Sequence, residues 1–120
     1  MTATHAPLHY QAARRDAHAL PAEISERLEQ VTAACRTYRV QALWLFGSAV
    51  QGTFDPATSD LDFLVDLGEY EPAIAERYGG LYVALADLFD RDIDLVTVRS
   101  PGNDQVRAAI NETRRVLYAA

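Results

Sequence analysis

The stretch from Leu45 to Leu67, LFGSAVQGTFDPATSDLDFLVDL, constrains the chain more than any other. An apolar run ends at Phe46 and Gly47-Ser48 follows. After a polar loop, Ser59 leads into Asp60-Leu61-Asp62-Phe63-Leu64-Val65. Strand side chains alternate between faces. Asp60 and Asp62 therefore share one side, about 7 Å apart along the backbone, while Phe63, Val65 and Leu67 take the other. Two parallel carboxylates at the head of an apolar strand are costly to desolvate without a cation between them. Magnesium meets that need, because it takes hard oxygen ligands from one or two carboxylates and from substrate phosphates. The Gly47-Ser48 turn offers a hydroxyl and free backbone N–H groups, which suit a phosphate. A calcium loop is excluded: Leu64 stands where a third oxygen ligand belongs, and Val65 where glycine is needed.

The rest of the chain supplies a sheet to hold this stretch. Val40 to Phe46 reads as a buried strand, Asp60 to Leu67 as a second, Arg91 to Val98 as a third and Arg114 to Tyr118 as a short last one. Pro21 opens a helix, and Ile24, Leu28, Val31, Cys35 and Tyr38 recur at helical spacing. Cys35 falls on its apolar face and reads as core rather than nucleophile, and Trp44 reads as core too. Pro72 to Asp90 carries a second apolar stripe, Ile74, Tyr78, Leu81, Tyr82, Leu85, Leu88 and Phe89. Gly79-Gly80 interrupts it. That predicts either a break in the helix or another backbone in close approach, since each glycine costs about 1 kcal/mol relative to alanine. Asn103 is placed to cap a last helix, with Val106, Ala109 and Ile110 toward the core. On the third strand Asp92 and Asp94 share one face. Asp55, just before Pro56, reads as a turn former rather than a ligand. Met1 to Leu20 reads as a loose arm whose His5, His9 and His18 are solvated.

A chain of 120 residues supports one domain with one core. Its net charge of −6, with no lysine and every basic residue an arginine, argues against tight direct nucleic-acid binding, which needs clustered cations to displace counterions. The single cysteine cannot form an internal disulfide. No membrane-length apolar stretch or signal-peptide core is present, so the expectation is a cytoplasmic protein.

Gly47-Ser48 followed by Asp60-Leu61-Asp62, with Asp92-Ile93-Asp94-Leu95-Val96 downstream, resembles the minimal nucleotidyltransferase (MNT) family of the DNA polymerase β superfamily. The likeness covers roughly Val40 to Ala120. It implies a mixed α/β fold, a small sheet with helices packed mainly on one face, in a domain running from 21 to 120. It implies Asp60, Asp62 and Asp94 as catalytic carboxylates and ligands of two Mg²⁺ ions, with Asp92 as the alternative third carboxylate. Gly47, Ser48 and Ser59 would lie at the nucleotide phosphates. The implied reaction transfers AMP from ATP to a hydroxyl. Minimal members of the family are commonly antitoxins encoded beside HEPN-domain ribonuclease toxins, and adenylylate a tyrosine of that partner. An acidic surface would complement such a basic partner. The competing reading is an antitoxin that neutralises its partner by binding alone. Paired-carboxylate glycoside hydrolysis fits less well, because carboxylates on one strand face serve opposite sides of a sugar poorly and Gly47-Ser48 is left without a role.

Overall fold

The computed structural model describes residues 20–51 and 60–120. The arm up to residue 19, with its three histidines, and the loop holding Asp55 and Ser59 lie outside the described residues. Leu20, at the end of that arm, is buried in the core.

In chain order the elements are α1 (Ala22–Ser25), α2 (Leu28–Thr37), β1 (Ala42–Phe46), α3 (Ser48–Gln51), β2 (Leu61–Asp66), α4 (Ile74–Phe89), β3 (Ile93–Thr97), α5 (Asp104–Thr113) and β4 (Arg115–Ala119). The four strands form one mixed sheet in the order β3-β2-β1-β4. β1 runs antiparallel to both β2 and β4, and β2 is parallel to β3. A parallel pair needs a crossover, and α4 supplies it.

The sheet is covered unequally. On one face Leu43, Leu45, Leu61, Phe63, Val65, Ile93 and Leu95 pack with Val31 and Cys35 of α2 and Leu81, Leu85 and Phe89 of α4. The smaller cluster on the other face joins Ala42, Trp44, Phe46, Leu64 and Val116 to Ile110 of α5. Strand alternation accounts for the division, and it puts Asp62 and Asp94 on the α5 face.

Two sequence expectations are adjusted. The first helix is not continuous: Glu26 and Arg27 form a turn between α1 and α2. At the turn Arg27 N–H bonds to Ile24 O instead of Glu23 O, and Arg27 Nη1 donates to the Glu23 carbonyl in its place. α4, in contrast, runs unbroken through Gly79 and Gly80. The close approach there is made by a side chain: a Cβ at Gly80 would stand 2.2 Å from the Tyr38 ring. The expected cap of the last helix is present, with Asn103 Oδ1 accepting from Val106 N at 2.9 Å.

Candidate active site

β1 and β2 bring the motif together. Phe46 pairs with Asp62 across the antiparallel ladder, so Gly47 leaves β1 directly beside the Asp62 carboxylate. Gly47 has φ of +82°, and a Cβ built there would meet Asp62 Oδ2 at 2.5 Å. Only glycine meets both requirements without strain. Ser48 then opens α3, where the first N–H groups of a helical turn carry no intrahelical partner.

The parallel register places Asp94 of β3 opposite Asp62. Asp62 is half-buried and Asp94 exposed. Burial, a hydrogen bond with the Asp94 carboxyl, and the charges of Asp94 and Asp60 push the Asp62 carboxyl up to about 7. Among the described residues, the ion pairs are Arg39–Glu71, Arg77–Glu71 and Arg91–Glu23. None of these pairs includes Asp60, Asp62 or Asp94.

The third carboxylate stands apart. Asp60 precedes β2, is exposed, and acts on Asp62 only through its charge. Among the described residues no three acidic, histidine or cysteine side chains come close enough to hold a metal ion. Among the described residues the expected cluster of Asp60, Asp62 and Asp94 is thus an adjacent pair plus a neighbour, as the mutual repulsion of like charges favours. Asp92 is exposed, stands one residue before the first paired residue Ile93, and is not among the charges acting on Asp62. Ser59 lies outside the described residues.

One expectation about the phosphate turn is corrected. The Gly47 N–H is not free: it donates to Thr113 Oγ1 at 2.7 Å, and that hydroxyl donates onward to Ala109 O at 2.6 Å. Val50 and Gln51 N–H donate to Gly47 O at 3.0 and 3.1 Å, so the donors left at the head of α3 are those of Ser48 and Ala49. Thr113 is buried at the end of α5, and sequence reading did not single it out. The contact spans 66 residues, and no local spacing announces it.

The fold and this site define a class. The nucleotidyltransferase domain family matches residues 28–117, and the chain belongs to that family. A putative protein adenylyltransferase of Methanocaldococcus jannaschii is 35% identical over 75 residues, covering 62% of this chain and 74% of the relative. Among solved structures, a toxin–antitoxin with AMP-PNP is 27% identical, with a TM-score of 0.58 over 78% of this chain and 73% of that one. A tri-AMPylated Shewanella oneidensis HEPN toxin in complex with MNT antitoxin shares the fold at 21% identity, with a TM-score of 0.56 over 81% of this chain and 73% of that one.

Proposed function

We propose that this chain transfers AMP from ATP to a tyrosine hydroxyl of a HEPN-type toxin and thereby acts as its antitoxin. One observation carries the reading: Asp62 and Asp94 lie side by side without a basic partner among the described residues, with the Gly47-Ser48 turn packed against Asp62. The likeness to a protein adenylyltransferase and to a toxin–antitoxin with AMP-PNP supports the choice of donor and partner.

The donor set is chemically right for magnesium: hard carboxylate oxygens whose mutual repulsion a divalent cation would relieve. Asp62 and Asp94 would hold it, with Asp60 turning in as a further ligand. When bound, magnesium supplies charge neutralisation for the triphosphate and Lewis-acid polarisation at the reacting centre. The chain's own residues do the rest. Ser48 and the N–H groups that open α3 orient the β- and γ-phosphates. Asp94, on edge strand β3, orients the acceptor hydroxyl and takes its proton. The acceptor oxygen bonds to the α-phosphorus, the bond to the β-phosphate oxygen breaks, and pyrophosphate leaves. Positioning and electrostatics suffice for such a transfer. AMP on an RNA-binding surface would repel the phosphate backbone, so inhibition outlasts the complex.

The test mixes the chain with its toxin, ATP and Mg²⁺, separates them and weighs the toxin. The expected result is a gain of AMP with the wild type and none with Asp62→Ala. An unmodified toxin that Asp62→Ala still neutralises would leave a binding antitoxin only.

A further inference from the structure

Beside the aspartate pair, on the same face of the sheet, a groove of about 330 Å³ runs between α5 and the β2–β3 side of the sheet. Its floor is Leu64, Val98 and Ile110, and its wall carries Arg107 and Asn111 of α5 with Arg114, the residue that ends the helix. Positions 107, 110, 111 and 114 recur at i, i+3, i+4 and i+7, so the two arginines stand on one stripe, about 10 Å apart along the helix.

The position of the groove is set by strand register. Leu64 follows Asp62 by two residues, about 7 Å further along β2. The Gly47-Ser48 turn lies in the other direction, past Phe46, which pairs with Asp62. The aspartate pair therefore sits between the turn and the groove. In a displacement at phosphorus the attacking and leaving oxygens stand roughly in line on opposite sides. With the leaving phosphates at Ser48, the acceptor enters from the groove side.

The chemistry of the groove is cationic in an acidic chain. The net charge is −6, yet neither Arg107 nor Arg114 has an acidic partner among the described residues. Arg114 is half-buried with its guanidinium 5.9 Å from the centre of the Trp44 ring. Burial lowers its pKa, but a guanidinium stays charged at any working pH. A half-buried guanidinium over an indole ring and an exposed one two helical turns earlier, with the Asn111 amide between them, form a recognition set for an oxyanion.

We infer that the groove walled by Arg107, Asn111 and Arg114 binds an oxyanion carried by the acceptor, next to the hydroxyl that receives the nucleotide. The inference rests on the reading given under Proposed function. The oxyanion is a side-chain carboxylate or a phosphoryl group, and the two share the chemistry of guanidinium recognition.

Nuclear magnetic resonance of the full chain decides the groove directly. The arginine Nε–H signals are followed while inorganic phosphate, and separately a hexaglutamate peptide, is titrated in. Arg107→Ser assigns its own signal and leaves the packed Arg114 in place. The expected result is saturable shifts at Arg107 and Arg114, and the probe that saturates at lower concentration names the source. Absence of shifts at both arginines with both probes overturns the inference. In parallel, ATP affinity and acceptor kinetics are compared in the wild type, Arg107→Ser and Arg107→Glu. ATP affinity should stay within about twofold in Arg107→Ser, while the acceptor KM rises roughly tenfold with little change in kcat, and further in Arg107→Glu. A roughly tenfold loss of ATP affinity in Arg107→Ser would place the donor nucleotide in the groove and also overturn the inference. A wild-type chain that transfers no AMP would sink the proposed function instead, and the titration would still decide the groove.

Discussion

At Asp62 three physical effects act in one direction. Burial, the hydrogen bond with Asp94 and the neighbouring negative charges all favour the protonated form, and its carboxyl rises to about 7 from an ordinary 3.8. The sign of the consequence follows from proton counting. Between these two values the native state keeps a proton that the unfolded state has released. The contribution of Asp62 to stability is therefore fully present below the lower value and is lost as pH rises through the upper one. Asp62→Asn removes this dependence. Without divalent cations, urea unfolding should show the variant gaining on the wild type steadily from about pH 4 to pH 7, then holding a constant advantage. A difference independent of pH would mean that the carboxyl ionises freely. Alternation alone put Asp62 and Asp94 on faces that the fold then matched in register. The tie from Thr113 to Gly47 was not readable, because it joins a helix end to a turn through tertiary packing.

Helices and strands were legible where a period ran uninterrupted. β1 occupies the last five residues of the run expected from Val40, and α4 fills nearly all of the span from Pro72 to Asp90. Gly79 and Gly80 show what the sequence withheld. Both sit in the interior of one helix, and composition treats them alike. A Cβ at Gly79 would meet nothing within 4 Å, while one at Gly80 would lie 2.2 Å from Tyr38 Cε1 and 2.7 Å from Cζ. The two alanine variants should therefore move in opposite directions. Gly79→Ala gains helix propensity and should stabilise the fold by about 0.5–1 kcal/mol. Gly80→Ala must displace a ring that packs against the main core, and should destabilise it by about 1–3 kcal/mol. Denaturant midpoints at constant m-value distinguish the cases. Two shifts of the same sign would show that the Tyr38 ring does not constrain this helix.

Over the whole molecule the two ends of the β2–β3 pair have different tasks. The leading ends carry the hydrogen-bonded pair of Asp62 and Asp94. Past the trailing end of β2 the chain is bolted by one side chain that the sequence analysis did not single out. Arg77 is buried, and its guanidinium donates to the carbonyls of Tyr38 (3.0 Å), Arg39 (2.6 Å) and Leu67 (2.9 Å) and to Glu71 Oε2 (2.6 Å). It thus joins the exit of α2, the exit of β2 and the approach to α4 through a single group. The same contact holds the Glu71 carboxyl below its ordinary range. Arg39 needs the help, since it stands at φ of +55°, a conformation that costs a non-glycine residue about 1–2 kcal/mol. Arg77→Met keeps most of the side chain's length but leaves three carbonyls without this donor, two of them part-buried in their contact and one buried. An unsatisfied buried polar group costs about 1–3 kcal/mol, so a total loss of roughly 3 kcal/mol or more is expected. Because the bolt lies at the end of β2 away from the aspartates, the molecules that remain folded should bind Mg·ATP with wild-type affinity. Urea unfolding and calorimetry at a temperature where the variant is still folded measure the two quantities separately. A variant that keeps its stability but loses nucleotide affinity would show that Arg77 acts on the site and not on the frame that carries it.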